Sequence, residues 1–210
     1  MPLSDPDSLA KVITDAALDL PVAAPRRLIA LAGPPGAGKS TIAAAVQQGL
    51  NTHGLPAGLL AMDGFHLDNA ILSARGQLSC KGAPETFDLP GFRALLQRLV
   101  TEDDVAVPEF DRDRDIAIAA RNLITAHERI VIVEGNYLLL DEPGWRDLAS
   151  CWDLSIFLDI PLPVLETRLV SRWRAQGCDE AQARDRALGN DIPNATRINK
   201  AQLPADLVLK

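Results

Sequence analysis

Cysteine is scarce in this chain. Cys80, Cys151 and Cys178 are an odd number, far apart, and lack C-x-x-C spacing. That argues against a disulfide framework and fits the reduced thiols of a cytoplasmic protein. The histidines, His53, His66 and His127, show no zinc-ligand spacing either. Basic charge is also short: 21 Lys and Arg face 28 Asp and Glu, a net charge of −7, and the cations are scattered rather than clustered. Such a chain repels a phosphate backbone, so nucleic acid is not an expected partner. No apolar run approaches the ~20 residues that span a bilayer, and the first residues lack a basic segment followed by an apolar one. Neither a membrane nor a targeting role is expected. There is no internal repeat and no low-complexity segment. What is present is an ordinary apolar share, 47%, in 210 residues, enough for one domain with a full core.

Against these absences stands one dense stretch, Gly33-Pro34-Pro35-Gly36-Ala37-Gly38-Lys39-Ser40. It follows the apolar run Leu28-Ile29-Ala30-Leu31-Ala32 and opens into the small residues Thr41-Ile42-Ala43-Ala44-Ala45-Val46, giving strand, glycine loop and helix. The spacing G-x-x-x-x-G-K-[ST] surrounds phosphate oxygens with backbone N–H groups; the lysine reaches the outer phosphates and the hydroxyl helps to hold Mg²⁺. The helix N-terminus adds partial positive charge at the same place. A nucleoside triphosphate with Mg²⁺ is therefore expected, with residues 33–41 as the nucleotide-binding loop.

The remaining elements alternate in type. A helix over Leu9–Leu20 precedes the first strand, with Ser4 or Asp5 as N-cap and Pro21 as stop; residues 1–25 form an N-terminal helical extension. Ala57–Met62 reads as a buried strand, about 64–90 as a long excursion over the substrate side, and Phe92–Leu99 as an amphipathic helix. Val105–Phe110 is a short extended piece before the charged cluster Asp111–Asp115. Arg129–Val133 and Asp153–Leu158 are strands. An arginine-bearing helix to Ala175 and a polar helix over Asp179–Leu188 form a lid at about 161–190, and Ala205–Leu209 closes the chain as a last strand. This alternation predicts an α/β fold with a mostly parallel sheet covered on both faces and ligands at the carboxyl ends of its strands.

Three groups of side chains carry the expected chemistry. Glu134 ends an apolar strand, where a carboxylate can support Mg²⁺ beside Ser40. Asp63 follows a strand and precedes a glycine; transfer of a phosphoryl group to a hydroxyl needs a carboxylate there to accept the proton. Arg168, Arg172 and Arg174 can close over the nucleotide and stabilise the moving charge. Each has a plainer reading: Glu134 as a helix cap, Asp63 as a turn residue, the arginines as a solvated face. His66, Arg112 and Arg114 are the substrate-side candidates, although Asp111, Asp113 and Asp115 could simply pair with those two arginines. Trp145, Trp152 and Trp173 read as packing residues. Two short matches fail in context: Asp141-Glu142-Pro143-Gly144 has no guanine-reading partner, and Asp179-Glu180-Ala181-Gln182 has no strand before it.

From about Leu28 onward the chain resembles the phosphoribulokinase, uridine kinase and bacterial pantothenate kinase superfamily. Met62-Asp63-Gly64-Phe65-His66 is similar to its D-G-F segment, Lys81-Gly82-Ala83-Pro84-Glu85-Thr86-Phe87-Asp88 to the K-G-x-P-E-S-Y-D element of pantothenate kinase, Pro108-Glu109-Phe110-Asp111 to P-x-Y-D, and Val133-Glu134-Gly135-Asn136 to the strand-end E-G. The Glu134–Leu140 run, Arg172-Trp173 and Asn190-Asp191-Ile192-Pro193-Asn194 look most like a bacterial branch labelled fructose-transport-system kinase. The resemblance implies a three-layer P-loop NTPase fold of nucleoside-kinase type with a helical lid. The nucleotide it implies is ATP. Catalysis would fall to Asp63 as base, Lys39, Arg168 and Arg172; Ser40 and Glu134 would hold the metal and Arg174 would bind nucleotide. The substrate it implies is a small polar metabolite, with a sugar first. Phe110 in place of tyrosine points away from a nucleoside, and the chain length points away from pantothenate, leaving uridine- and pantothenate-type kinases as alternatives. A regulatory ATPase without a metabolite substrate is the alternative of another class, and homodimerisation is left open.

Overall fold

The apolar runs form a five-stranded parallel sheet in a computed structural model of the chain, which describes residues 5–21 and 26–210. The elements in chain order are α1 (Pro6–Leu18), β1 (Arg27–Ala32), α2 (Lys39–Thr52), β2 (Ala57–Ala61), α3 (Asn69–Ala74), α4 (Leu89–Thr101), β3 (Val105–Asp111), β4 (Ile116–Ile124), β5 (Ile130–Gly135), β6 (Leu154–Leu158), α5 (Leu162–Ala175), α6 (Glu180–Arg186), α7 (Ile192–Lys200) and β7 (Leu207–Leu209). The main sheet runs β2-β5-β1-β6-β7. Its central strands are buried along nearly their whole length, as continuous apolar runs must be when helices cover both faces.

The period of two along a strand divides the core. Leu28, Ala30 and Ala32 of β1 join Val131 and Val133 of β5 against Phe92 and Leu96 of α4. Ile29 and Leu31 join Ile130 and Ile132 on the other face, against Ile42 and Val46 of α2 and Leu165 and Leu169 of α5. Leu9, Ile13 and Ala17 attach α1 to that second layer. Asp5 caps α1, accepting from the Asp7 and Ser8 amides. The Ser4 alternative and the rest of residues 1–4 and 22–25 lie outside the described residues.

Phe92 connects the core to the site. It is fully buried and meets Phe65 edge-on at 5.0 Å between ring centroids, and Phe65 lies two residues beyond Asp63. Phe92→Ala is expected to cost about 3–5 kcal/mol, read as a lower urea midpoint; an unchanged midpoint would show that this layer contributes little.

Several elements depart from the sequence reading. The second strand stops at Ala61, and Met62–Phe65 form a 3₁₀ turn. The excursion is ordered around α3 and two further 3₁₀ turns, Leu78–Cys80 and Pro84–Thr86. The charged cluster is the tip of an antiparallel hairpin, β3–β4. β4 was not expected because its centre is exposed and alanine-rich, a composition of low strand propensity. Beyond α6 a π-helical turn, Ala187–Asp191, leads into α7, where polar composition hides the helical period. Pro193 in the first turn of α7 needs no amide partner there.

Candidate active site

Parallel register levels the strand ends on which the site is built. Ala32 of β1 lies opposite Gly135 of β5, and Glu134 lies opposite both Leu31 and Ala61. The glycine loop, Glu134 and the Met62–Phe65 turn therefore meet at one edge, around a cleft of about 1400 Å³. Two glycines let the loop turn: Gly36 has φ +79° and Gly38 φ +93°, and a Cβ on Gly36 would stand 3.1 Å from Leu169 Cγ. Gly33 sits against Leu158, while Pro35, Gly36, Gly38, Lys39, Ser40 and Thr41 face the cleft.

Lys39 is buried at the start of α2. Its Nζ donates to Pro34 O at 3.0 Å and to Asn136 Oδ1 at 2.6 Å, so one of its three protons remains for a phosphate oxygen. Burial pushes its pKa below the usual lysine value, opposed chiefly by the negative charge of Glu134. Glu134 shows the mirror effect: burial raises its pKa and Lys39 opposes the rise. Ser40 Oγ donates to Glu134 Oε1 at 2.8 Å. A buried carboxylate and a hydroxyl at hydrogen-bond distance are hard oxygen donors of the kind Mg²⁺ takes together with phosphate oxygens and water. Among the described residues no group of three or more His, Cys, Asp or Glu could hold a metal alone.

Asp63 sits in its turn because the chain passes very close to β3. A Cβ on Gly64 would come within 2.9 Å of Pro108 O. Arg112, from the tip of the hairpin, donates from Nη2 to Asp63 Oδ2 at 2.6 Å. His66 Nδ1 lies 2.8 Å from Asp63 O. A carbonyl only accepts, so this nitrogen carries the proton in the neutral ring. Burial lowers the His66 pKa, with Asp63 the main opposing influence. The ring is held between Phe87 and Phe110, at 4.2 and 4.6 Å between centroids.

The arginines divide. Arg168 lines the cleft and donates from Nη1 to Gly36 O and Ala37 O, both at 3.3 Å. Arg172 lines it too, bound to both Asp191 oxygens at 3.2 and 3.3 Å. Arg174, one residue past a tryptophan on the same helix, is outside the lining and pairs with Glu180 at 3.3 Å on the surface. Arg114 is likewise outside, well exposed and 4.0 Å from Asp111. Asp113 and Asp115 face the cleft, and Asp115 pairs with Lys81 rather than with an arginine.

Other cleft residues escaped the sequence reading. Asn136 holds Lys39, although only its place two residues after Glu134 signals this. Trp173, expected to pack, also lines the cleft: its Nε1 donates to Asp191 Oδ2 at 2.7 Å, and the guanidinium carbons of Arg172 and Arg186 stand 5.2 and 4.8 Å from its ring. Trp145 is buried as expected, and Trp152 donates to Leu138 O. Lys81 and Asn190 complete the far wall. Among the described residues no helix is long and apolar enough to cross a membrane.

Known proteins resemble this chain. The sequence pattern of the phosphoribulokinase / uridine kinase family matches residues 28–183. The uncharacterized protein YggC of Escherichia coli is 38% identical over 190 residues, covering 88% of this chain and 78% of its own. A provisionally named uridine kinase of Schizosaccharomyces pombe is 32% identical, covering 88% and 83%. The crystal structure of a provisionally named fructose transport system kinase from Silicibacter sp. TM1040 superposes with a TM-score of 0.92 at 48% identity, covering 96% of this chain and 98% of that one. With its parallel sheet, glycine loop and strand-end carboxylates, the chain belongs to the phosphoribulokinase / uridine kinase family of P-loop kinases and is a phosphotransferase with an alcohol acceptor.

Proposed function

We propose that this kinase transfers the γ-phosphoryl group of Mg²⁺-bound ATP to a hydroxyl of a small neutral polyol, a sugar in the first instance. The observation that carries the reading is the convergence of Lys39 and Ser40 with Glu134 and Asp63 on one cleft. Lys39 and the loop amides hold the phosphates; Ser40 and Glu134 would hold Mg²⁺, which would supply charge neutralisation at the phosphate oxygens. The acceptor oxygen attacks the γ-phosphorus, the bond to the β–γ bridging oxygen breaks, ADP leaves, and Asp63 takes the hydroxyl proton. Arg168 and Arg172, on the helical lid of α5 and α6, face the moving group. The reaction is assigned to the cytoplasm, where the unpaired Cys80, Cys151 and Cys178 stay reduced.

The charge pattern of the acceptor side supports a neutral substrate. Lys81 spends its three protons on Asn69 Oδ1 at 2.7 Å, Asp115 O at 2.9 Å and Asp115 Oδ1 at 2.9 Å. Arg112 pairs with Asp63 through Nη2. An acceptor bearing phosphate or carboxylate would have to break the Lys81 contacts to reach that ammonium, whereas hydroxyls can bond to the Lys81 and Asp115 groups as they stand. The name of the Silicibacter relative agrees with a sugar.

The test is ADP release from Mg²⁺ and ATP against neutral hexoses and pentoses, sugar phosphates, uridine and pantothenate. Stimulation by a neutral sugar is expected. Stimulation by uridine, pantothenate or a sugar phosphate alone would overturn the acceptor assignment. Hydrolysis that no small molecule stimulates would favour a regulatory ATPase.

A further inference from the structure

Two pairs of consecutive residues tie the nucleotide side of the cleft to the opposite wall. Asn136 accepts from Lys39, and its neighbour Tyr137 donates its hydroxyl to Gly82 O at 2.5 Å. Asp191 accepts from Arg172 and Trp173, and its neighbour Asn190 donates from Nδ2 to Lys81 O at 2.8 Å. Both ties end on adjacent carbonyls of one loop. That loop also carries the Lys81 side chain into the cleft.

The ties differ in freedom. Tyr137 is fully buried and packs edge-on against Phe87 and Trp145 at 5.7 and 5.3 Å, so it is a fixed post. Asn190 and Asp191 end the π-helical turn between α6 and α7, and α6 buries only Ala183. π turns interrupt the helical ladder and recur at functional sites, and an element with so little buried surface is free to shift.

We infer that Asn190 and Asp191 are a positioning pair that transmits the placement of Arg172 over bound nucleotide to the Lys81–Gly82 acceptor loop. The inference rests on the kinase reading above. Asp191 is buried, and a buried carboxylate stripped of its guanidinium is costly. When phosphate draws Arg172 inward, Asp191 follows, and Asn190 carries the Lys81 carbonyl with it. Nucleotide binding thereby orders the acceptor wall before the acceptor arrives.

Hydrogen–deuterium exchange on the full chain, with and without Mg²⁺ and the non-hydrolysable analogue AMP-PNP, tests this without knowledge of the acceptor. Segment 78–87 is a usable reporter because its amides are bonded locally: Lys81 to Leu78 O, Ala83 to Cys80 O and Thr86 to Ala83 O. In the wild type, the analogue is expected to slow exchange in both 33–41 and 78–87. Asn190→Asp keeps the side-chain volume and the oxygen that accepts from Asn194, but has no proton for Lys81 O. It should retain protection of 33–41 and lose the nucleotide-dependent protection of 78–87. Asn190→Ala, which adds no charge, should do the same. If exchange in 78–87 rises equally with and without nucleotide, so that the difference survives, Asn190 only braces the loop and the inference is wrong. It is also wrong if the wild type protects 33–41 but not 78–87. A wild type in which the analogue leaves 33–41 unprotected would instead count against the kinase reading itself.

Discussion

Asp63→Asn is expected to lower turnover about 10³-fold, within the range for loss of a general base, while ATP affinity stays near wild type. Asparagine is isosteric and its carbonyl oxygen can still accept from Arg112, which now reaches Asp63 Oδ2 at 2.6 Å. The turn itself is held elsewhere, by His66 N and Nδ1 on Asp63 O, by the approach of Gly64 to Pro108, and by Phe65 against Phe92. The substitution therefore removes basicity with little change of shape. An interaction made only in the transition state lowers kcat and kcat/KM together. Steady-state kinetics with the acceptor found in the panel, alongside calorimetric ATP binding, separate the outcomes. If KM for ATP climbs while kcat holds, Asp63 is a binding residue and the proton has another destination.

The parts of this site legible in the sequence are those fixed by local backbone geometry. The glycine loop needs residues of positive φ at Gly36 and Gly38, so its spacing is rigid and readable. Glu134 is legible because a charge directly after the apolar run Ile130–Val133 stands out near the carboxyl end of a strand, and β5 ends one residue later, at Gly135. The α/β architecture with a parallel sheet covered on both faces followed from alternation of element types, and the structure and its relatives bear it out. Strand order could not be read, and contacts that depend on it were invisible. Lys39 meets Asn136, 97 positions further along the chain, only because β1 and β5 are neighbours. The fate of the arginines turned on the same kind of information. Arg112 has aspartates on either side in sequence but pairs with Asp63, 49 residues away, because the hairpin tip reaches across the cleft. Arg172 and Trp173 converge on Asp191 through a π turn, whose five-residue spacing breaks the 3.6 period by which helices are recognised. Arg174, one position on from Trp173, points out to Glu180.

Glu134→Gln is expected to abolish most of the benefit of Mg²⁺, with the half-saturating Mg²⁺ concentration rising at least about tenfold, since even groups behind the direct ligands cost that much. Glutamine fits the same space, and its amide oxygen can still accept from Ser40, so the edge of β5 is not disturbed. What disappears is the negative charge, and a neutral amide is a poor ligand for a cation that usually relies on one or two carboxylates. Lys39 loses the largest influence that holds its pKa up against burial, so the same change weakens the ammonium's claim to its proton. The two consequences can be separated by binding rather than turnover. Calorimetric titration with AMP-PNP, with and without Mg²⁺, should show Mg²⁺ tightening binding in the wild type and failing to do so in Glu134→Gln. A metal-free affinity that falls while the Mg²⁺ increment persists would mean that Glu134 acts through Lys39 alone, and the metal would then have to be held by Ser40 and the phosphates without it.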